Sequence, residues 1–484
     1  MMALMDVGVM RLRGRQLGLA LALLALALLA TSLFFAFILP QSPGRMADPS
    51  AALMPRQQLW AFVLALGLPV PRSSGSLAAA LLAVSAARFA LYGLAVLLCW
   101  QGRGGRLSLA IAIGGALLLC LVAACALPNI DRDIYNYILS GRVAAVYGDN
   151  PYTVPPNNFP ADPIYQFASP QYTGFAGDNK FPAWALLNIG LARLGGDAPT
   201  TNLLLYRSAF LLANGANIGL VALILRKLQP RRLHAGVVLY GWNPIVISYG
   251  QSKVDTIMVL FLLLGLLGLA YGRRRLGLLA LGVSAWVKLI TLPLVVVYLL
   301  RDLRMRRWRE LALGVALLAG LTLALYAPFW AGPGMLGGQL RLLSSGGSSN
   351  PAVLRLLTQA GFGVAMVWLG YRRDAGPHEL ARRWALLALL FSLFLTRLGF
   401  SWYLLTLIAL VAVAAEWRLA LATVVLSCGA FLMNVWDSAS NGAFALPDLF
   451  ALPRFVMYLA FVAALAGAVL AVQLGRRGRA QGST

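Results

Sequence analysis

The stretch LGLALALLALALLATSLFFAFIL, residues 17–39, decides the fold of this chain. It carries no charged residue, and it is long enough to cross a bilayer, since a membrane helix needs about 20 apolar residues. RLRGR precedes it at 11–15, and its apolar core exceeds the roughly 7–15 residues of a cleaved signal peptide. We interpret it as a signal anchor that forms the first membrane helix.

The composition extends this interpretation to the whole chain. The sequence is 60% hydrophobic and 12% charged, with a mean hydropathy of +0.77, whereas soluble domains average roughly 45–50% apolar and about 25% charged residues. The net charge is +24, but the basic residues cluster in short loops between apolar runs and indicate topology instead of nucleic-acid binding. The composition predicts one all-α, polytopic integral-membrane domain over 1–484.

Further apolar runs predict about 11 to 14 membrane helices in total. The longer ones are 76–100, 107–127, 201–225, 254–271, 311–330, 353–371 and 455–474. The shorter or interrupted ones are 235–249, 276–287 with 289–300, 384–398 with 401–415, and 419–434. Segment 57–70, between two prolines, is too short to cross.

The loop charges predict the orientation. Because Lys and Arg are enriched in cytoplasmic loops, we place the N-terminus in the cytoplasm. All basic clusters then fall on one side, provided that 276–300 either crosses twice as a short hairpin or dips into the membrane and returns. The opposite, extracytoplasmic side receives the long loop 128–200, which carries six Asp residues.

This outer loop contains the densest set of polar and aromatic residues. Apolar residues spaced along 133–147 predict an amphipathic helix in the membrane interface. GDNPY at 148–152 is a turn sequence that ends it. Residues 153–180 are expected to be irregular, and 181–194 to form a second interfacial or short membrane helix. Functional residues concentrate in such loops.

Two carboxylates open this loop. Asp131 and Asp133 follow the helix 107–127 at the membrane–water boundary, where partial desolvation raises the pKa of a carboxyl group and makes it a better proton acceptor. Both residues could instead cap the helix that follows them, which is a common role for Asp.

A second polar centre lies at the start of the apolar run 254–271. An ionisable pair at the end of a membrane helix is a candidate functional site, and here Lys253 either neutralises Asp255 or faces a phosphate group. Pro244 interrupts the preceding span and frees backbone groups, which predicts a nearby cavity. Lys288 lies between two short apolar runs, so it must reach water, a phosphate or a carboxylate, or extend to the interface.

Other candidates lie on the predicted outer side. Arg142, Lys180 and Arg397 run against the positive-inside bias, which suggests that they neutralise an anionic ligand, although Arg142 could also pair with a neighbouring Asp. Aromatic residues on this side fit either an interfacial belt or stacking on sugar rings. The candidates for stacking are Tyr135, Tyr152, Trp402 and Tyr403.

Metal chemistry finds little support in the sequence. The four cysteines all lie in apolar spans without metal-ligand spacing, and the two histidines both lie beside basic loops. We therefore expect no metal ligands and no cofactor.

The outer loop resembles the first loop of bacterial GT-C glycosyltransferases of the polyprenyl-phosphate-dependent mannosyltransferase type. Their loop commonly reads D-D-x-Y-R-Y-x-x-x-G-R-x-x-x-x-G-x-N-P-Y, and DIYNY at 133–137, GR at 141–142 and GDNPY at 148–152 match it in order and spacing. WNP at 242–244 followed by Asp255 is similar to a second element of that family. Three departures are Arg132 in place of the first Asp of the pair, Lys253 near the usual His, and FPA at 181–183 in place of Y-P-P.

The resemblance implies a GT-C-like fold in the bacterial inner (plasma) membrane, and it implies a function. The protein would transfer a hexose, with mannose expected, from a polyprenyl-phosphate donor to a lipid-linked or glycan acceptor, with Asp133 as the general base. Asn150 is a further substrate contact that the loop motif implies. A basic phosphate site needs no metal, so we expect metal-independent inversion at the anomeric carbon. Membrane lipid, donor and acceptor are the expected partners, and nucleic acid is not.

Two other functional classes share some of these features. A flippase or transporter of lipid-linked sugars would place ionisable residues near the middle of discontinuous helices, often in repeated halves, and we find no internal repeat. A ligase or polymerase of surface polysaccharide also uses lipid-linked substrates and outer loops. A cavity that opens on one face only, with Asp133 at its mouth, would distinguish an enzyme from a transporter.

Overall fold

The computed structural model of this chain describes residues 12, 14–34, 74–125, 133–168, 173–174, 180–332, 352–372, 376–395 and 400–438. Within these ranges the secondary structure is helical, with no strand. The first eight helices are α1 (Arg15–Leu33), α2 (Ser74–Gln101), α3 (Arg106–Cys125), α4 (Asp133–Ala145), α5 (Pro182–Gly195), α6 (Pro199–Leu228), α7 (Leu233–Gly241) and α8 (Pro244–Tyr249). They are followed by α9 (Asp255–Ala270), α10 (Arg274–Val287), α11 (Leu292–Arg304), α12 (Trp308–Tyr326), α13 (Ala352–Gly370), α14 (Pro377–Leu390), α15 (Leu404–Ala414) and α16 (Trp417–Ser438).

The prediction of an all-α polytopic membrane protein is confirmed by the lengths and composition of these helices. Six of them in the described ranges are long and apolar enough to span a bilayer: Arg15–Leu33, Ala79–Gln101, Arg106–Cys125, Pro199–Leu228, Trp308–Phe329 and Trp417–Val435. Shorter apolar helices are Asp255–Ala270, Leu356–Gly370 and Ser401–Ala414. The predicted span 455–474 and the short segment 57–70 lie outside the described residues.

Helices α9 and α10, which lie next to Lys253 and Lys288 in the chain, pack closely against each other. They approach through glycines, because a Cβ atom on Gly268 would lie 2.9 Å from the Cα of Gly277. Small residues allow membrane helices to approach at backbone distance. The two helices meet at Gly272, which takes a φ of +73° in the turn between them.

The predicted hairpin over 276–300 is also present. Helix α10 ends at Val287, Lys288 is extended, a 3₁₀ turn covers Leu289–Thr291, and α11 returns from Leu292. At the other end of the hairpin the Arg274 guanidinium lies 2.6 Å from the Asp302 carboxylate. Lys288 therefore lies at the opposite end of α10 from Arg274.

The predicted interfacial helix 133–147 forms as α4, but it does not expose one face to solvent and bury the other. Ten consecutive residues, 134–143, are buried. The following loop folds back over the helix: the Tyr147 ring stacks on Phe159 at 3.9 Å, and Asp162 binds Arg142. Helix α5 covers another side of α4, where the Tyr137 ring packs against Trp184 at 5.3 Å and Asn188 donates to the Tyr137 carbonyl at 2.9 Å. The sequence pattern predicted both helices but could not show their contact. Residues 153–168 contain only turns and short 3₁₀ segments, and 182–195 forms a helix, both as expected.

Candidate functional site

The break between α7 and α8 directs the chain toward the site. Pro244 occupies the first turn of α8, and the Asn243 side chain accepts a hydrogen bond from the Ile245 amide at 2.9 Å. The same side chain donates to Tyr92 and Ser427. The Asn243 side chain thus satisfies the free Ile245 amide at the break next to Pro244. The sequence had predicted a cavity near this break.

The turn after α8 places Lys253 in the interior. Gly250 lies so close to its neighbours that a Cβ atom there would meet the Val246 carbonyl oxygen and, at 2.7 Å, the Asn214 amide nitrogen. The Lys253 amide then bonds to the Tyr249 carbonyl, which continues the helical turn. Lys253 is fully buried at the start of α9, where an unpaired ammonium group would be costly.

Lys253 is neutralised by Asp133, the first residue of α4. The Lys253 Nζ donates to Asp133 Oδ2 at 2.6 Å, and 22% of the Asp133 side chain is exposed. The same Nζ lies 3.4 Å from the centre of the Trp402 ring, an arrangement that adds a cation–π attraction. The pairing of Lys253 with Asp255, one of the alternatives from the sequence, is replaced by this contact.

A second ion pair repeats the arrangement. The Lys288 Nζ donates to both Asp255 carboxylate oxygens, at 2.8 and 2.9 Å, and it lies 4.2 Å from the centre of the Tyr403 ring. The rings of Trp402 and Tyr403 are 6.2 Å apart, so the pairs are neighbours. We call Asp133, Lys253, Asp255 and Lys288 the ion-pair site.

Lys180 brings a third ammonium group to this site. Its Nζ lies 5.3 Å from the centre of the Tyr137 ring, and its charge acts on Asp133. The backbone of Lys180 is held by Tyr152, whose hydroxyl donates to the Lys180 carbonyl at 3.3 Å. Asn150 accepts from the Tyr152 amide and donates to the Phe329 carbonyl, which fixes this part of the loop against α12.

The pKa of Asp133 moves in the opposite direction from the sequence prediction. Burial favours the neutral carboxyl group, as expected, but the charges of Lys253, Lys180 and Lys288 and the hydrogen bond from Lys253 outweigh it. Together they lower the pKa of Asp133 to about 2. Asp133 is therefore an ionised carboxylate held by a cation in this state, and it is a weak proton acceptor as long as that pair persists.

Two other predicted residues lie in structural contacts. Arg142 donates to Asp162 at 2.7 Å, to Asp197 at 2.8 Å and to the Gly196 carbonyl, so its guanidinium closes the loop onto α5. Tyr135 is buried with its ring tilted against Phe167 at 5.7 Å. Asp131 and Arg397 lie outside the described residues.

Tyr137, which the sequence identified as part of the loop motif, is also a partner of Asp133, and this contact was not predicted. Its hydroxyl donates to Asp133 Oδ2 at 3.3 Å, and its ring packs edge-on against Trp184. The signal was present, because residues four apart share one face of a helix.

A small apolar cavity adjoins the aromatic side of the site. It is lined by the following residues of α11, α13, α14, α15 and the adjoining turns: Ile290, Leu294, Phe362, Leu387, Phe391 and Tyr403. Tyr403, which covers Lys288, forms part of its wall. Tyr403 thus contacts both Lys288 and this apolar space.

Comparisons with protein-family models, curated proteins and solved structures found no match to this chain.

Proposed function

We propose that this protein is a membrane glycosyltransferase that moves a hexose from a polyprenyl-phosphate donor to a hydroxyl of a lipid-linked or glycan acceptor. One observation carries the proposal: Asp133 lies among Lys253, Lys288 and Lys180, which come from distant parts of the chain, beside Trp402 and Tyr403. A partly exposed carboxylate next to several cations and aromatic rings supplies the groups that sugar transfer from a phosphate requires.

The chemistry assigns a role to each group. The acceptor oxygen attacks the anomeric carbon while the bond from that carbon to the phosphate oxygen breaks, through an oxocarbenium-like state. Asp133 takes the proton of the acceptor hydroxyl, and the lysines neutralise the charge that develops on the departing polyprenyl phosphate. Direct attack from the opposite face inverts the anomeric carbon and requires no metal ion in this scheme.

Donor binding converts Asp133 from an ion-pair partner into a base. The donor phosphate is an anion and competes with Asp133 for Lys253, so that its arrival weakens the 2.6 Å contact. Without that contact the pKa of Asp133 rises from about 2 toward the usual value. The base becomes effective when the substrate is present.

The apolar cavity beside Tyr403 has a volume of only about 10 Å³, so the surrounding helices would have to move apart to admit the first isoprene units of the donor. Phosphate at Lys288 would place the attached hydrocarbon next to Tyr403 and the apolar residues Ile290, Leu294 and Phe391. Burying such a chain is favourable in proportion to its apolar area.

The depth of these groups in the membrane separates an enzyme from a transporter. Lys253 and Asp255 lie at the start of α9, and Lys288 follows the end of α10. A transporter would place its ionisable groups near the middle of the membrane. The ion-pair site gathers them at one end of the helices.

Transfer by purified Asp133→Asn protein tests the proposal. With polyprenyl-phosphate mannose and a lipid extract, we expect transfer to fall by at least about 100-fold, since general-base catalysis contributes about 10²–10⁴-fold. Asp197→Asn is the matched control, because Asp197 is 83% exposed and binds only Arg142. Full transfer by Asp133→Asn would refute the catalytic role.

The absence of a metal requirement is checked in the same assay. We expect unchanged transfer after treatment with EDTA. Loss of activity with EDTA and recovery with a divalent ion would refute this part of the proposal.

A further inference from the structure

A basic surface lies at the end of α10 that is opposite to Lys288. Arg274 at the start of α10 donates to both carboxylate oxygens of Asp302 in α11, at 2.6 and 2.7 Å, and to the Tyr298 hydroxyl at 3.1 Å. These bonds hold together the loop before α10 and the loop after α11. The basic residues of both loops are thereby presented on one surface.

Arginine dominates that surface. Exposed arginines on these two loops are Arg273, Arg275, Arg304, Arg306 and Arg309. The carboxylates in the same segments are Asp302, which is buried against Arg274, and Glu310. The paired Arg274 and Asp302 thus act as the link, and the exposed charge around them is almost wholly positive. We call the five exposed arginines the basic patch.

The conformation of Arg306 supports a role for its side chain. It ends α11 in the left-handed region with a φ of +53°, where glycine is the usual residue. An exposed arginine at this position has no packing reason to be there. Arg306 therefore adds a positive charge to the basic patch at a position where the backbone conformation favours glycine.

Aromatic residues accompany the charges. Trp308 is 61% exposed at the start of α12, and Tyr271 is 56% exposed at the end of α9, with Lys227 of α6 lying 5.4 Å from the centre of its ring. Exposed Trp and Tyr next to the ends of membrane helices typically lie at the level of the lipid headgroups.

We infer that the basic patch binds the headgroups of anionic phospholipids in the leaflet opposite to the ion-pair site. Clusters of four to eight Lys or Arg next to membrane helices attract anionic headgroups. The Arg274–Asp302 link fixes the arrangement of the arginines, and Trp308 inserts beside them. This inference does not depend on the proposed transfer reaction, because the patch is at the other end of the helices.

Lipid binding by the detergent-purified full chain tests this inference. Native mass spectrometry would measure retention of phosphatidylglycerol, phosphatidylcholine and, for the headgroup alone, sn-glycerol 3-phosphate. We expect phosphatidylglycerol to bind at least about tenfold more tightly than phosphatidylcholine, with the difference shrinking as salt is raised. The free headgroup should bind far more weakly.

Two matched variants locate the effect. Arg304→Gln/Arg309→Gln removes two charges from the patch, and we expect it to lose about tenfold or more of the phosphatidylglycerol affinity. Arg103→Gln/Arg106→Gln removes two exposed charges from the loop between α2 and α3 and should retain that affinity. Equal weakening by both variants, no lipid preference in the wild-type chain, or equal binding of glycerol phosphate would overturn the inference. The salt dependence of the wild type tests it even if the patch variant fails to fold.

Discussion

At the scale of single residues, Lys253 and Asp255 each pair with a different partner from the one that the sequence suggested. The sequence identified Asp133, Lys253, Asp255 and Lys288 as functional candidates, but proximity along the chain suggested the pairing of Lys253 with Asp255. The structure pairs Lys253 with Asp133 across 120 residues of sequence. Such a contact depends on how α4 packs against the start of α9, which no local pattern shows.

The direction of the pKa shift of Asp133 follows from that pairing. Partial burial at a membrane surface was visible from the sequence, and it does raise the pKa. The approach of three ammonium groups was not visible, and their combined charge outweighs burial. A residue's depth can be predicted from its position between apolar runs, whereas its charged neighbours depend on the tertiary structure.

The Asp133–Lys253 pair predicts a stability effect. Asp133→Asn leaves the fully buried Lys253 without its carboxylate, so we expect the free energy of unfolding to fall by about 3 kcal/mol at pH 7. Asp133→Asn/Lys253→Met should be less destabilised than Asp133→Asn, because no unpaired charge remains buried. Thermal unfolding in detergent measures both. A double variant that is as unstable as the sum of the two single variants would contradict the direct pairing.

The contribution of the Asp133–Lys253 pair to stability also depends on pH, and its direction follows from the pKa shift of Asp133. Because folding lowers the pKa of Asp133 to about 2, the pair stabilises the fold above the unfolded pKa of about 4. That contribution is lost as the pH falls through about 2. The stability difference between wild type and Asp133→Asn should thus be constant near neutral pH and shrink below about pH 4.

At the scale of elements, the contact between α9 and α10 sets the distance between the two ion pairs. Helix α9 carries Lys253 and Asp255 at its start, and α10 leads into Lys288. Their glycines allow the helices to approach at backbone distance. The sequence predicted both helices and the hairpin that follows, but the glycines alone did not show which neighbour they would contact.

Gly268→Ala tests this contact. The added Cβ would lie 2.9 Å from the Gly277 Cα, so we expect α9 and α10 to separate and the protein to lose about 1–3 kcal/mol of stability. Gly320→Ala in α12 is the control, because nothing lies within 4 Å of its added Cβ; it should be neutral or up to about 1 kcal/mol stabilising. Similar thermal unfolding of the two variants would show that the close approach is unimportant.

At the scale of the whole molecule, the ion-pair site and the basic patch occupy opposite ends of the same helices. The sequence predicted this separation through the distribution of Arg and Asp between alternate loops, which is a global property of the chain. It could not predict the burial of α4, since the cover comes from tertiary contacts with α5 and with the irregular residues 146–168. Composition and periodicity thus predicted the helices, and tertiary packing determined the site.

Cysteine labelling tests the orientation of the molecule. In a Cys125→Ser background, which removes the exposed native thiol, we expect a membrane-impermeant maleimide to label Thr153→Cys in intact spheroplasts. Arg304→Cys at the basic patch should be labelled only after the membrane is opened. Both positions are exposed. Labelling of both from the same side would contradict the predicted topology.

The rod-like shape of α10 has a mechanical consequence. It is 14 residues long, about 21 Å at 1.5 Å per residue, with Arg274 held at one end and Lys288 at the other. A tilt of about 5° around the Arg274 end would displace Lys288 by roughly 2 Å over this length, enough to break its contacts with Asp255. Helices adjust their tilt to the thickness of the bilayer. The Lys288–Asp255 ion pair therefore depends on the hydrophobic thickness of the surrounding membrane.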